Sequence, residues 1–197
     1  MSFRVLVVPE DPTHNGAILQ PLVARVLAEC GRPQADVKVL TEPRVQGYDH
    51  ARSVLDDVVA KYGWYDLILF CPDRDGQERR EVELRDMEGR IRRSAMQQRP
   101  GGCSLFLCCA AIEEVETWLL AGHIDRLSRS WRDVRADTSV KETEFGAFLR
   151  NHGEPGAPDG GRKALMREGL QNYPGIRTRC PELADLEARI RAAIEGA

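Results

Sequence analysis

The chain reads as an α/β protein: a doubly wound, mainly parallel sheet followed by a C-terminal helical extension. Three observations predict this. Short apolar runs rich in β-branched residues recur at 4–8, 37–40, 66–71 and 104–109. Stretches of helical period separate successive runs. After residue 122 the strand signal stops while helical patterns continue. Parallel strands need long crossover connections, usually helices, so strands alternating with helices imply a sheet covered on both faces. Residues 1–122 are therefore expected to form one α/β domain, with 123–197 a helical extension packed on it.

Each element has its own justification. The run RVLVV at 4–8 is closed by Pro9, with Glu10 just past its end. From Gly16, the residues Ile18, Leu19, Leu22, Val23, Val26 and Leu27 recur at helical spacing until Gly31, a helix stop. The segment 37–40 is a second short strand. Gly47 precedes a helix whose Ala51, Val54, Leu55, Val58, Val59 and Tyr62 form one apolar stripe. The third strand, 66–71 (DLILFC), ends in the turn residues Pro72, Asp73, Arg74, Asp75 and Gly76. Residues 77–98 predict a charged, mostly exposed helix with a thin stripe of Val82, Leu84, Met87 and Ile91, stopped at Pro100, Gly101 and Gly102. The fourth strand, 104–109 (SLFLCC), leads into a helix over 111–121 that turns Ile112, Val115 and Leu119 one way. Beyond it, short helical patterns flank a loop at 153–161.

Composition narrows the function classes. The 197 residues are 42% hydrophobic and 30% charged, which excludes a disordered chain. No apolar run approaches the roughly 18 residues of a membrane-spanning helix, and Met1 to Arg4 lead straight into a strand, so neither secretion nor membrane anchoring is expected. Cys30, Cys71, Cys103, Cys108, Cys109 and Cys180 form no C-x-x-C pair; reduced thiols in a cytoplasmic protein are expected, not disulfides or zinc. The basic residues comprise 24 Arg and 4 Lys. Guanidinium is the better bidentate partner for phosphate, although a GC-rich coding sequence enriches Arg equally.

The acids carry the functional reading. In open parallel sheets, ligands bind beyond the carboxyl ends of the strands. Glu10 and Asp11 follow the first strand, Asp73 and Asp75 the third, and Glu113, Glu114 and Glu116 open the helix after the fourth. Carboxylates sharing a rim repel one another unless cations neutralise them. A hard divalent ion with oxygen ligands suits that set better than zinc. Each feature also has a plain structural reading. Asp73 and Asp75 could be an acidic turn, the glutamates could favour a helix dipole, and Glu10 could be a solvated loop acid, with Thr13 or Asn15 capping the next helix. Lys163, after a Gly-rich loop, is either a phosphate-facing cation or a solvated helix start; His14 is either a proton shuttle near Glu10 or an idle loop residue. Trp118 and the WLLA run read as core packing.

A hydrophobic strand ending in Glu (Val5 to Glu10), followed by a later strand ending in Asp-x-Asp (Leu67 to Asp75), resembles the Toprim domain of topoisomerases, primases and nucleases. The run from Ile112 to Ala121 resembles the acid-x-Trp-Leu-Leu segment of small bacterial Toprim-like proteins related to the overcoming-lysogenization-defect nucleases, many of them in phage defence loci. Where Toprim domains usually carry Gly after the glutamate, this chain has Asp11 and Pro12. The resemblance implies Mg²⁺ or Mn²⁺ held by Asp73, Asp75 and Glu116 with Glu113 or Glu114, Glu10 as ligand or general base, and phosphodiester hydrolysis on DNA or RNA. It also admits a partner ATPase or another defence protein. A net charge of −3 weighs against a nucleic-acid enzyme, but the relatively basic extension offers Arg126, Arg129, Arg132, Arg135, Arg162, Arg177 and Arg179 as a strand-binding surface. Two alternatives stand beside this one. A haloacid-dehalogenase-type phosphatase resembles Asp73 to Gly76 but has its motif after the first strand, and a non-catalytic Toprim-like partner subunit would keep the fold without the chemistry.

Overall fold

The computed structural model describes residues 2–98 and 105–195. Cys103, the helix stop at Pro100 to Gly102, and Ser104 at the start of the fourth predicted strand lie outside the described residues. Four strands, β1 (Arg4–Pro9), β2 (Asp36–Val39), β3 (Leu67–Cys71) and β4 (Leu105–Cys108), form one sheet in the order β2-β1-β3-β4. All three pairings are parallel, in a register that sets Val5 beside both Val37 and Leu67, and Leu67 beside Leu105. The fold is therefore α/β with a fully parallel sheet, flanked by helices on both faces and followed by further helices.

Side-chain alternation along each strand divides the interior into two layers. Leu6, Val8, Ile68, Phe70 and Phe106 point to the face covered by α2 (Tyr48–Tyr62) and α3 (Arg80–Gln98). Val5, Val7, Leu67, Leu69 and Leu107 point to the other face, which is shared by α1 (His14–Glu29), α4 (Glu116–Leu120) and the extension. The extension comprises α5 (Trp131–Arg135), a π-helical turn at Lys141–Phe145, α6 (Gly146–His152), α7 (Arg162–Gly169), α8 (Tyr173–Arg179) and α9 (Pro181–Glu195). Its Phe145, Met166, Tyr173, Ile176 and Ile190 are buried in the same core as α1 and the sheet. Gly122 marks the join: a Cβ there would lie 2.7 Å from the Cα of Gly169, so only glycine lets α7 come so close.

Two elements differ from expectation. The helix predicted over 111–121 is confined to Glu116–Leu120, because residues 109–111 instead continue the strand pairing: Ala111 forms a parallel bridge with Asp73, and Ala111 N–H donates to Pro72 O at 2.9 Å. Glu113 and Glu114 are consequently loop residues and do not lie on a shared helical face with Glu116. On α3, Leu84, Met87 and Ile91 are buried as the stripe requires, but Val82 is 61% exposed.

Candidate functional site

The order β2-β1-β3-β4 makes the carboxyl ends of β1 and β3 the point where successive connections diverge, which is where open parallel sheets form ligand crevices. Glu10 leaves β1 there. Its Oε1 accepts a hydrogen bond from Asp73 N at 3.0 Å, and Gly47 N donates to its backbone carbonyl. Asp73 is itself buried and links three elements: Oδ1 accepts from Val115 N at 2.7 Å, just ahead of α4, while Asn15 Nδ2 in the first turn of α1 approaches Oδ2 at 3.4 Å.

The Asp73-to-Gly76 segment does not stay extended. Asp75 has φ +50° and Gly76 φ +67°, consecutive left-handed residues that fold the chain into a turn and leave Asp75 exposed at the rim. Glu113 holds this turn. Its carbonyl accepts from Arg74 N and Asp75 N, Oε2 accepts from Gly76 N at 2.7 Å, and Oε1 pairs with the Arg74 guanidinium. Glu113 was expected among the metal ligands; both its oxygens are engaged in clipping the turn.

Glu116 has no such occupation. It is fully buried, neither carboxylate oxygen accepts a hydrogen bond, and its one ion pair among the described residues is with Lys141 Nζ at 3.7 Å. Glu114 Oε2 and Asn15 Oδ1 are likewise buried without a partner. The charge of Asp75 acts on Glu10, Asp73 and Glu114, and that of Glu116 on Asp73 and Glu114, so acids from three strand ends lie within electrostatic reach of one another. Burial, with the Asp75 charge adding to it, pushes the Glu10 carboxyl up to about 7 against the opposing hydrogen bond from Asp73 N. Burial and then the Glu116 charge push Glu114 up to about 7. Asp73 is raised well above the usual carboxylate range by burial and by Glu116 and Glu10. Lys141 is raised as well: burial pulls it down, but the charges of Glu116, Glu114 and Asp73 more than offset this.

The remaining candidates lie elsewhere. Asp11 caps α1, its Oδ1 accepting from Thr13 N at 2.7 Å and His14 N at 3.1 Å, and its Oδ2 lies 2.8 Å from His14 Nδ1; neither Thr13 nor Asn15 provides the cap. Lys163 Nζ donates to Gln20 Oε1 at 2.7 Å and lines a separate groove of about 600 Å³ between α1 and α7. The cation paired with Glu116 among the described residues is Lys141, from the π-helical turn. The arginines expected to form a strand-binding surface are largely committed: Arg126 pairs with Glu168, Arg129 with Asp137, Arg135 with Glu182 and Arg177 with Glu187. Trp118 packs as a core residue, fully buried, with Nε1 donating to Glu182 Oε1 at 2.6 Å.

Three members of the site escaped the sequence. Asn15 reads in the sequence only as a helix-capping residue. Lys141 sits in an unremarkable polar stretch, and Arg80 in a helix expected to be mostly solvated. Asn15 and Lys141 reach Asp73 and Glu116 through the packing of elements distant in sequence.

The donor chemistry suits Mg²⁺ or Mn²⁺: hard oxygens, several of them buried and unsatisfied. Among the described residues, however, no three His, Cys, Asp or Glu side chains are gathered closely enough to hold an ion as they stand. No protein-family model, curated protein or solved structure matches this chain.

Proposed function

We propose that the chain is a Toprim-type, divalent-cation-dependent hydrolase of phosphodiester bonds in DNA or RNA. The observation that carries this reading is Glu116, a fully buried carboxylate with no hydrogen bond to either oxygen, in the electrostatic reach of Asp73 and Glu114 at the sheet's switch point. Burying such a group costs free energy, and a cation is the chemistry that offsets it. Asp73, Asp75, Glu114 and Glu116 are the residues that would hold Mg²⁺ or Mn²⁺. Bound there, the ion would stabilise charge on the attacking and leaving oxygens of a phosphoryl transfer.

The chain's own groups supply the rest. Glu10, with its carboxyl near 7, is matched to accepting a proton from an attacking water at neutral pH. Lys141 offers positive charge to a phosphate at the rim and takes the part first expected of Lys163. Asp73 anchors α4 through Val115 N–H, and Glu113 fixes the turn that carries Asp75. The resemblance noted above extends the proposal to nucleic-acid processing or phage defence, with a partner ATPase or another defence protein, in the cytoplasm.

One alternative has an observation behind it. The acids are not gathered for an ion as they stand, which favours a non-catalytic Toprim-like partner subunit. A haloacid-dehalogenase-type reaction is disfavoured because Asp73, its required nucleophile, is 7% exposed and already accepts from Val115 N–H. The deciding experiment incubates the protein with plasmid DNA and with RNA, with Mg²⁺ or with a chelator, alongside Asp75→Ala. Cleavage that needs Mg²⁺ and is lost in the variant supports hydrolysis. Cleavage surviving both chelation and substitution overturns it, and no cleavage together with no acid-dependent Mg²⁺ binding supports the partner subunit.

A further inference from the structure

A second group at this end of the sheet is as poorly satisfied as Glu116, and it has the opposite sign. Arg80 opens α3, its side chain is 9% exposed, and its Nε is buried with no hydrogen-bond partner. Its one ion pair among the described residues is at the outer limit, 4.0 Å to Glu83 Oε2. Buried guanidinium groups normally sit in bidentate contact with a carboxylate or several carbonyls. A cation at a helix N-terminus also opposes the helix dipole, so neither the helix nor a close ion pair accounts for this position.

The group is nonetheless held firmly. The guanidinium carbon lies 3.4 Å from the centroid of the Tyr48 ring, and that ring stacks on Phe70 of β3 at 6.1 Å. Cation–π contact fixes the plane of the guanidinium and leaves its N–H edge for another acceptor. Arg80 lines a groove of about 520 Å³ between the start of α2 and the β3–α3 turn, with Gly47, Tyr48, Gln77 and Asp75 among its walls. Asp75 belongs equally to the acidic cluster, and Arg80 is close enough to act on the charge of Glu10. The groove thus runs up to the acids.

We propose that this groove is the path of a single nucleic-acid strand and that Arg80 binds a backbone phosphate next to the acidic cluster. The assignment rests on the phosphodiester reading above and deepens it by naming the substrate-binding residue. A phosphate oxygen in the groove supplies an acceptor for the guanidinium, its charge suits that cation, and Tyr48 preorganises the contact. Arg80 is a substrate-binding residue in this account, distinct from the acids that hold the ion.

The test is fluorescence anisotropy of fluorescein-labelled single-stranded DNA and RNA dodecamers, in Ca²⁺ buffer, across a salt series, with the intact chain, Arg80→Met and Arg80→Lys. Loss of a charge-assisted contact predicts binding about 10- to 100-fold weaker for Arg80→Met. It also predicts a log–log salt dependence shallower by about 0.7. Arg80→Lys keeps the charge, guards against a variant that fails to fold, and is expected to retain the salt slope while losing part of the affinity. Wild-type affinity and slope in Arg80→Met, with its melting temperature unchanged, overturns the role of Arg80 and leaves the phosphodiester reading standing. Displacement of either strand by inorganic phosphate at equal phosphate concentration overturns the strand assignment in favour of a free anion. Binding of neither dodecamer by the intact chain overturns the nucleic-acid reading, and this assignment with it.

Discussion

At Glu116 the chain keeps a carboxylate fully buried with both oxygens unsatisfied, against the repulsion of its neighbours Asp73 and Glu114. Exchanging it for the neutral amide removes that repulsion and supplies two donors for the surrounding acids. Glu116→Gln is therefore expected to raise stability in chelator by about 1–3 kcal/mol, the range for relieving an unsatisfied buried charge or polar group, and to abolish the rise in melting temperature caused by Mg²⁺. Differential scanning fluorimetry with and without Mg²⁺ checks both. A variant less stable than the parent in chelator would make Glu116 a structural residue. The acids themselves were legible in the sequence because a carboxylate just beyond a strand has a fixed address. Lys141 and Asn15 were not, since an address reached through tertiary packing leaves no local pattern.

The β4 element illustrates what pattern reading misses at the next scale. Its apolar run is plain in the sequence, but the protection of its open edge has no local pattern. Glu88 Oε2 accepts from Cys108 N at 3.0 Å, Arg189 Nη1 donates to Cys108 O at 3.0 Å, and Arg92 Nε donates to Phe106 O at 2.8 Å. Glu88 also pairs with Arg92 and Arg189, so α3 and α9 together occupy backbone groups that would otherwise recruit another strand. Glu88→Ala is expected to cost roughly 3 kcal/mol, as for breaking a buried ion pair, and to promote edge-to-edge association. Urea unfolding and size-exclusion chromatography measure the two effects. The shortened α4 has a related cause. Helical periodicity through 111–121 was real in the sequence, but the bridge between Ala111 and Asp73 and the hydrogen bond from Val115 N to Asp73 draw its first residues into a loop. A long-range contact outweighed local propensity, as such contacts commonly do.

Across the whole molecule, the alternation of strands and helices was enough to foresee a parallel sheet covered on two sides, because parallel crossovers admit few other solutions. Foreseeing which face the extension covers would have required knowing that Gly122 and Gly169 meet. The acidic cluster couples this architecture to pH. Folding raises Glu10 and Glu114 from 4.5 to about 7, and Asp73 moves the same way. Between those values the folded chain retains protons that the unfolded chain has released. Their contribution to stability is thus full below about 4.5 and declines as the pH rises to about 7. In chelator, the melting temperature at pH 5.5 is expected to exceed that at pH 7.5 by several degrees, with Mg²⁺ narrowing the gap by favouring ionised carboxylates. A flat or rising profile in chelator would show that these acids do not share a buried field.

The most direct measurement is calorimetric titration of the protein with Mg²⁺ at pH 7.5, repeated with Asp73→Ala and Glu116→Gln. The account predicts saturable binding by the intact chain, proton release on binding, and loss of the signal in both variants. Binding that is absent from the intact chain, or that persists unchanged when both acids are removed, would contradict it.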